Sequence, residues 1–426
     1  MLRPLTCLVA AGLLATAAMA RAAEPFEVNV ANGPSAGGQS LTALVDSLLA
    51  GDGDFASVGG RSSYSASLSY LGIEDAILVS SSGSGRSVTV TIPSTGYART
   101  FTGTDADDVA AQVQTWLTES GSAELSRFQA AVNARSRVAL LDGNPRSTAA
   151  LLARGAMLRY GSDPSIGGAG LSPPSAAAPP GPRTATSLEV ADWRAFALRL
   201  DAWDQHLRTE GLDGLRASGG TLTLGGHFSD RVGLSVAFTG QLRHAAGARF
   251  YDVGGELAVP LVPVAHPAGS PWRWTLTPFL QAGFGLSIDA AAGGLLVGGG
   301  VVQRLGLRVR SVELGYATEL AFYGGVPLTQ VRGYDFDTRV RRLVVAHSVG
   351  AAWRVHRAVV LDAGVGTTRL AVDDAAVPRW FTPTVGLGFR AGERLRARVA
   401  WQADLAPGYT SHGVALELNL LAGPEG

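Results

Sequence analysis

The chain has 426 residues, of which 55 are glycine, 46% are hydrophobic and only 16% are charged. This length exceeds one ordinary domain, and the composition is too apolar for intrinsic disorder and unusually poor in charge for a soluble protein. The 35 acidic residues balance 35 basic residues, all of them Arg because Lys is absent, and this neutrality argues against nucleic acid as a partner. The single cysteine, Cys7, excludes a disulfide scaffold, a Cys-rich zinc module and a catalytic cysteine downstream.

Residues 1–22 have the pattern of a Sec signal peptide. Arg3 precedes a short apolar run at 5–18, and two overlapping Ala-x-Ala cleavage sites end at Ala20 and Ala22. The alternative is a membrane-anchoring helix, but the run is shorter than the roughly 20 residues that a transmembrane helix needs. We therefore predict export with cleavage after Ala20 or Ala22, which removes Cys7 from the mature chain.

A segment rich in Pro, Ala and Gly at 166–187 separates two parts with different hydrophobic periods. The upstream part, residues 24–165, contains helical spacing at 41–49, strand-like runs between 64 and 102, a helix that starts at Thr104 as N-cap, and a further helix at 147–157. We predict a small α+β domain at 24–165, a linker at 166–187 and a second, all-β domain at 188–421.

Downstream of the linker the hydrophobic period is two. In 232–243 the even positions are mostly apolar and the odd positions are small or polar, and this alternation recurs at 272–289 and 394–405. A soluble β-sandwich also alternates, but transmembrane β-strands need about 9–11 residues and place apolar side chains outward and polar ones inward. We count twelve such strands, and an even number returns both ends of a closed barrel to one side. The first strand, at 193–204, also has heptad-like spacing, so a helix that enters or plugs the pore is its alternative.

The lengths of the connections and the positions of the aromatic residues also indicate a transmembrane antiparallel barrel. Short connections at 229–231, 305–307, 354–357 and 390–393 alternate with long ones at 206–218, 324–338 and 371–379, as in barrels with periplasmic turns and extracellular loops. An aromatic girdle at the membrane interfaces is predicted at Trp272, Trp274, Trp353, Trp380, Phe389 and Trp401.

Charged residues of the second domain fall on the polar, inward-facing register. This set comprises Glu313, Glu319, Arg342, Asp362, Arg394, Arg396, Arg398, Asp404 and Glu417. Both signs are present, and Arg398 and Glu417 lie on neighbouring predicted strands. The mixture favours cross-strand pairing inside a narrow lumen over a strongly ion-selective channel.

The sequence offers no matched set of catalytic or metal-binding residues. His347 and Ser348 are adjacent in a predicted strand, so their side chains point to opposite faces and do not cooperate. The seven histidines lack metal-site spacing, and the glycine clusters at 83–85 and 298–300 lack the strand-to-helix context of a phosphate loop. We therefore expect no catalytic residues, no metal and no cofactor.

The start of the second domain, WRAFALRLDAWDQ, a polar loop and then GGTLTLGGHFSDRVGLSVAFTG, is similar to the first hairpins of Gram-negative outer-membrane barrels. These include the translocator domains of autotransporters, whose order of signal peptide, passenger, linker and twelve-stranded barrel this chain resembles. The resemblance covers residues 190–421 and is one of pattern. It implies an outer-membrane protein that is inserted by the barrel-assembly machinery, contacts outer-membrane lipid and anchors or displays its N-terminal domain.

A second function is left open by the sequence. In it the chain is a non-enzymatic pore or structural outer-membrane protein whose N-terminal domain stays in the periplasm and binds envelope partners. The location of residues 24–165 separates the two hypotheses.

Overall fold

The computed structural model describes residues 25–158 and 195–422, apart from gaps at 39–40, 59–60, 84, 117–120, 210–211, 228, 230, 246, 264–269, 288–291, 327, 332–333, 337–339, 357 and 392–394. The predicted signal peptide and linker lie outside the described residues. The described chain forms an α+β N-terminal region followed by a closed antiparallel barrel, which confirms the predicted fold class. No helix in these described parts is long and apolar enough to cross a membrane.

The N-terminal domain is built on a six-stranded antiparallel sheet with the order β2-β1-β3-β4-β5-β6. Its strands are β1 (Phe26–Val30), β2 (Ser35–Gly38), β3 (Ser63–Tyr70), β4 (Ile73–Ser82), β5 (Ser87–Ile92) and β6 (Tyr97–Thr102). Alternation decides which face is covered: Val88, Val90 and Ile92 are buried, while the threonines between them are half-buried. The buried face packs against the helices, and Trp116 stacks on Tyr97 with ring centroids 5.4 Å apart.

The described part of the N-terminal region contains four α-helices: α1 (Leu41–Ala50), α2 (Ala106–Thr115), α3 (Ser122–Arg135) and α4 (Thr148–Ala156). A short 3₁₀ turn at Gly53–Phe55 follows α1. The N-cap of α2 is Asp105 and not the predicted Thr104, because the Asp105 side chain accepts a hydrogen bond from the Asp108 amide at 2.9 Å. Thr and Asp are both good N-cap residues, so composition alone placed the helix start one residue too early.

All twelve predicted strands are present in the barrel. They are β7 (Ala195–Thr209), β8 (Leu212–His227), β9 (Gly233–Ala245), β10 (Ala248–Ala258), β11 (Trp272–Ser287), β12 (Ala292–Val309), β13 (Val312–Val326), β16 (Arg341–His356), β17 (Val359–Val372), β18 (Arg379–Ala391), β19 (Leu395–Ala406) and β20 (Tyr409–Ala422). The short pair β14 (Leu328–Val331) and β15 (Tyr334–Phe336) lies between β13 and β16.

The first barrel strand closes the cylinder. β7 pairs with β8 on one side and with β20 on the other, so each barrel strand has two hydrogen-bonded neighbours. The alternative of a pore-entering helix over this segment is therefore wrong. The residues that gave the heptad-like spacing do not share one face of the strand: Trp203 and Leu207 are on the inward register, whereas Leu200 is exposed on the outer face.

The barrel has two distinct ends. Ala195 and Ala422 begin and finish the barrel at one end, which we call the termini end. The N-terminal domain contacts the opposite end, which we call the domain end. There the amide of Val377, between β17 and β18, donates a hydrogen bond to the Gly143 carbonyl at 2.8 Å.

Two of the predicted connections are wrong. The polar segment 206–218 lies mostly within β7 and β8, which are joined at 210–211, and 305–307 lies inside β12. Antiparallel pairing continues through these residues because backbone hydrogen bonds, and not side-chain polarity, hold the ladder together.

The outer face of the barrel is apolar over most of its height. Large hydrophobic side chains are exposed there, including Phe238, Leu280, Val349, Phe381 and Val385. The inner face carries buried polar and charged residues on the alternate register. This distribution is the reverse of a water-soluble protein, in which exposed apolar patches of such size are rare.

Candidate functional site

The lumen of the barrel is occupied by the helix α4. Every residue from Thr148 to Ala153 is buried, and the Ser147 side chain caps the helix by accepting a hydrogen bond from the Ala150 amide. The helix enters at the domain end, and Met157 just beyond it approaches Ser348 in the middle of β16. A helix that is apolar on most of its circumference needs burial on all sides, and the lumen provides it.

Asp404 on β19 is the main charged anchor of this segment. It is fully buried, and its carboxylate lies 2.6 Å from Nη2 of Arg146 and 2.8 Å from Nη1 of Arg154. Hydroxyl groups of Ser411 and Thr382 each donate to the same carboxylate at 2.9 Å. One acid of the barrel wall therefore contacts two arginines of the luminal segment, Arg146 just before α4 and Arg154 in its last turn.

Polar side chains of the wall also satisfy the backbone of the luminal segment. Gln281 donates to the Leu152 carbonyl at 3.0 Å, and Gln241 donates to the Arg146 carbonyl at 3.1 Å. Arg243 donates to the carbonyl of Leu140 at 3.0 Å, and Thr148 donates to Asp252 at 2.7 Å. A buried carbonyl without a partner is costly, so these contacts define one position for the segment.

Glycines on the inward register make room for the helix. A Cβ atom on Gly254 would lie 2.7 Å from the Leu152 side chain, and one on Gly283 would lie 2.9 Å from it. A Cβ atom on Gly285 would meet both Thr148 and Leu140. The wall of β10 and β11 is therefore shaped to the surface of α4.

A second ion pair fixes the chain where it enters the barrel. Nη2 of Arg342 on β16 lies 2.6 Å from the Asp142 carboxylate, and both side chains are buried. Arg342 also donates to the carbonyls of Asp373 and Asp374. Burial raises the pKa of the Asp142 carboxyl group, and the Arg342 guanidinium opposes that rise.

Charges nearer the termini end pair within the wall. Arg398 lies 2.5 Å from Asp362 and 2.6 Å from Glu417, and Arg199 lies 2.8 Å from Asp201. Arg398 and Glu417 are direct cross-strand neighbours, as the sequence predicted. This part of the lumen is thus lined by mixed charges that neutralise one another.

The remaining predicted luminal charges take different positions. Glu313 pairs with Arg304 at 3.2 Å, Glu319 is fully buried, and Arg396 is half-buried opposite Asn419. Arg394 lies outside the described residues. The structure therefore brings Arg342 and Asp404 to the luminal segment, and Asp362, Arg398 and Glu417 to the wall network.

Five of the six predicted girdle residues lie on the outward register. Trp272, Trp274, Trp353 and Phe389 cluster near the termini end, while Trp401 lies in the middle of β19. Trp380 was predicted wrongly, because it faces the lumen with only 5% of its surface exposed. Its neighbours Arg379 and Phe381 face outward, and adjacent residues of a strand point to opposite sides.

His347 and Ser348 lie on opposite faces of β16. The His347 ring accepts or donates a hydrogen bond with the Tyr316 hydroxyl at 3.1 Å on the outer face, whereas Ser348 faces Met157 in the lumen. No group of three or more potential metal ligands occurs among the described residues.

Sequence reasoning missed the luminal position of α4 and several of its partners, among them Arg243, Asp252 and Gln281. One signal was available. Gly254, Gly283 and Gly285 fall on the inward register of two long strands, where a barrel without a luminal helix would need side chains to fill the space.

Comparison with known proteins gives matches to solved structures only. No family model matches the sequence, and no curated protein matches it. The chain is similar to the translocator domain of the autotransporter NalP from Neisseria meningitidis, with 11% identity over 54% of this chain and 89% of that chain and a TM-score of 0.38. The beta domain of the Bordetella autotransporter BrkA matches with 12% identity over 53% and 98% of the chains and a TM-score of 0.38.

The CymD monoaromatic hydrocarbon channel matches with 8% identity over 55% of this chain and 90% of that chain and a TM-score of 0.33. Both autotransporter and channel barrels are thus among the matches. Their sequence identities and TM-scores are too low to assign a function to this chain. The class that the residues of this chain define is a closed β-barrel with an apolar outer face and a lumen occupied by its own N-terminal segment.

Proposed function

We propose that this chain is a Gram-negative outer-membrane barrel that holds its N-terminal domain on the cell surface, in the manner of an autotransporter. The observation that carries the proposal is the position of the N-terminal domain at the barrel end opposite to Ala195 and Ala422. The domain and the start of the barrel are therefore at opposite ends of one cylinder.

The path of the chain supports this orientation. It leaves the domain after α3, enters the lumen at Asp142 and runs inward as α4 to Met157. After Leu158 the next described residue is Ala195, which lies at the termini end. We assign the termini end to the periplasm, the side from which an exported barrel is inserted. With that assignment the described luminal segment enters the barrel from the cell-surface end.

The outer face supports insertion into a membrane. A barrel that spans a bilayer needs an apolar outward band about 25 Å tall and closure that leaves no strand edge in lipid. This barrel has exposed apolar side chains around the cylinder and a complete hydrogen-bonded ring of twelve strands. Its partners in this proposal are outer-membrane lipid and the barrel-assembly machinery.

The occupied lumen supports anchoring over transport. Among the described residues, two crevices between α4 and the wall hold about 50 and 70 Å³. Spaces of this size hold a few water molecules. We therefore propose a closed barrel without enzymatic activity, whose N-terminal domain carries the interaction with the surroundings of the cell.

Insertion of a site-specific protease sequence in the turn between Pro93 and Gly96 tests this function. The turn joins β5 and β6 on the N-terminal domain, and exposed turns tolerate insertions. We expect the protease to cut the chain on intact cells, and we expect the unboiled protein from outer-membrane fractions to migrate faster on SDS gels than the boiled protein. A heat-shifted band that intact cells protect from cleavage would place the domain in the periplasm and favour the alternative function.

A further inference from the structure

Arginines on the outward register of the described barrel strands lie near the domain end. Six arginines of the described strands face outward, and each lies within five residues of the domain end of its strand: Arg208, Arg216, Arg249, Arg341, Arg369 and Arg379. In the half near the termini end, arginines such as Arg199, Arg304 and Arg398 face the lumen instead. Exposed arginines also occur at the termini end, but Arg231 and Arg310 lie in turns and Arg354 is on the inward register of β16.

Five of the outward cationic or imidazole groups form one continuous line across the sheet. His412 is the direct cross-strand partner of His206, His206 of Arg216, Arg216 of His244, and His244 of Arg249. We call this set the basic row. It crosses the five strands β20, β7, β8, β9 and β10, a width of about 19 Å at the usual spacing of about 4.8 Å between strands.

The basic row is exposed and has little negative charge beside it. All five side chains are exposed, and the rings of His206 and His412 lie 6.2 Å apart. The structure describes all five outward positions one step nearer the termini end, and Asp204 is the single acid among them. The Asp204 carboxylate lies 2.8 Å from the guanidinium group of Arg216. The row therefore presents two guanidinium groups and three imidazole rings, all potential hydrogen-bond donors, to the outside of the barrel.

The neighbours of the basic row indicate what kind of anion reaches it. One step nearer the termini end, the outward positions include Val414, Leu242 and Tyr251, which begin the apolar band. A ligand that fits both surfaces has acyl chains beside these residues and a negatively charged headgroup beside the basic row. Guanidinium groups match the geometry of phosphate oxygens, and neutral or charged imidazoles donate hydrogen bonds to them.

We propose that the basic row binds the phosphate groups of a phosphorylated lipid headgroup in the membrane leaflet at the domain end. The proposal rests on the outer-membrane location given under Proposed function. Arg369 and Arg379, which are direct cross-strand partners on β17 and β18, present the same chemistry elsewhere on the rim. Neither arginine has a hydrogen-bond or ion-pair partner among the described residues, so a second headgroup fits there.

Thermal stability in vesicles of defined composition tests the proposal. The mature full-length chain is folded into phosphatidylcholine vesicles with and without diphosphoryl lipid A, and the temperature at which half of the SDS-gel band loses its heat shift is measured. We expect lipid A to raise this temperature for the wild-type chain by about 5 °C or more, because bound ligand stabilises the folded state. We expect the rise to fall to less than half in the triple variant His206→Gln, His244→Gln and Arg249→Gln.

Two controls separate the sources of the effect. Arg354→Gln removes an arginine at the termini end and should leave the full rise, and inorganic phosphate at millimolar concentration should not reproduce it. An equal rise in the wild-type chain and the triple variant, or the whole rise with inorganic phosphate alone, would overturn the proposal. Arg249→Gln alone, with a smaller loss expected, serves if the triple variant shows no heat-shifted band in phosphatidylcholine. Failure of the wild-type chain to form such a band would contradict the proposed function instead.

Discussion

The substitution Asp404→Ala is expected to release α4 and to turn a closed barrel into a conducting one. The change leaves Arg146 and Arg154 in a buried site without the carboxylate that both contact. Removal of one partner from a buried ion pair costs about 3–5 kcal/mol, and the two arginines recover hydration only by leaving the site. This cost corresponds to an increase of about a hundredfold or more in the undocked population.

Planar-bilayer recordings of the purified full-length chain measure this effect. We expect rare openings for the wild-type chain and frequent or sustained openings for Asp404→Ala. Asp362→Ala is the matched control, because it removes a luminal carboxylate that pairs with Arg398 of the wall and does not contact α4. A barrel that stays as closed in Asp404→Ala as in the wild-type chain would show that the ion pairs do not hold the helix in place.

The second large effect is expected for a substitution at Gly283, in the part of the barrel wall that contacts α4. Gly283→Val introduces a Cβ atom 2.9 Å from Leu152, with two further methyl groups, into a packed contact. Overpacking of this kind costs about 1–3 kcal/mol. Without α4 the same change would favour the strand, because Val has a higher β-propensity than Gly. Destabilisation therefore reports specifically on the docked helix.

A double-mutant cycle separates the contact from general damage. Leu152→Ala alone removes a buried side chain and weakens docking, but it also frees the space that the larger side chain of Gly283→Val would need. We expect the rate of tryptic cleavage after Arg154 to rise in each single variant and to rise less in the double variant than the two single effects predict. Gly255→Val is the control, since a Cβ atom at Gly255 meets nothing within 4 Å. Additive effects in the cycle would place Leu152 away from Gly283.

Most of the barrel could be predicted because its signal is long and repeated. Several strands alternate apolar and polar residues over many positions, as in β11, where Trp272, Leu280 and Leu286 share one face and Gln281 and Ser287 the other. Such alternation fixes both the element and the inward set. Trp380 was misplaced because its size and its position near a strand end suggested a girdle, whereas the alternation of β18 places it in the lumen.

The luminal helix could not be placed because its sequence carries only local information. Six of the nine residues of α4 are Ala or Leu and predict a buried helix, but the core of the N-terminal domain would satisfy that requirement as well as the barrel does. The partners that decide the matter, Asp252, Gln281 and Asp404, lie about 100 to 260 residues away in the sequence. Period and propensity contain no information on contacts over such distances.

The surface position of the N-terminal domain is tested most directly by labelling single cysteines at the two ends of the molecule. The mature chain is expected to lack cysteine, so Ser94→Cys in the exposed β5–β6 turn and Ser311→Cys in the β12–β13 turn at the termini end are each unique sites. On intact cells, a membrane-impermeant maleimide should label Ser94→Cys fully, and it should label Ser311→Cys only after the outer membrane is permeabilised. The reverse pattern, with Ser311→Cys labelled on intact cells and Ser94→Cys protected, would contradict display of the domain and place it in the periplasm.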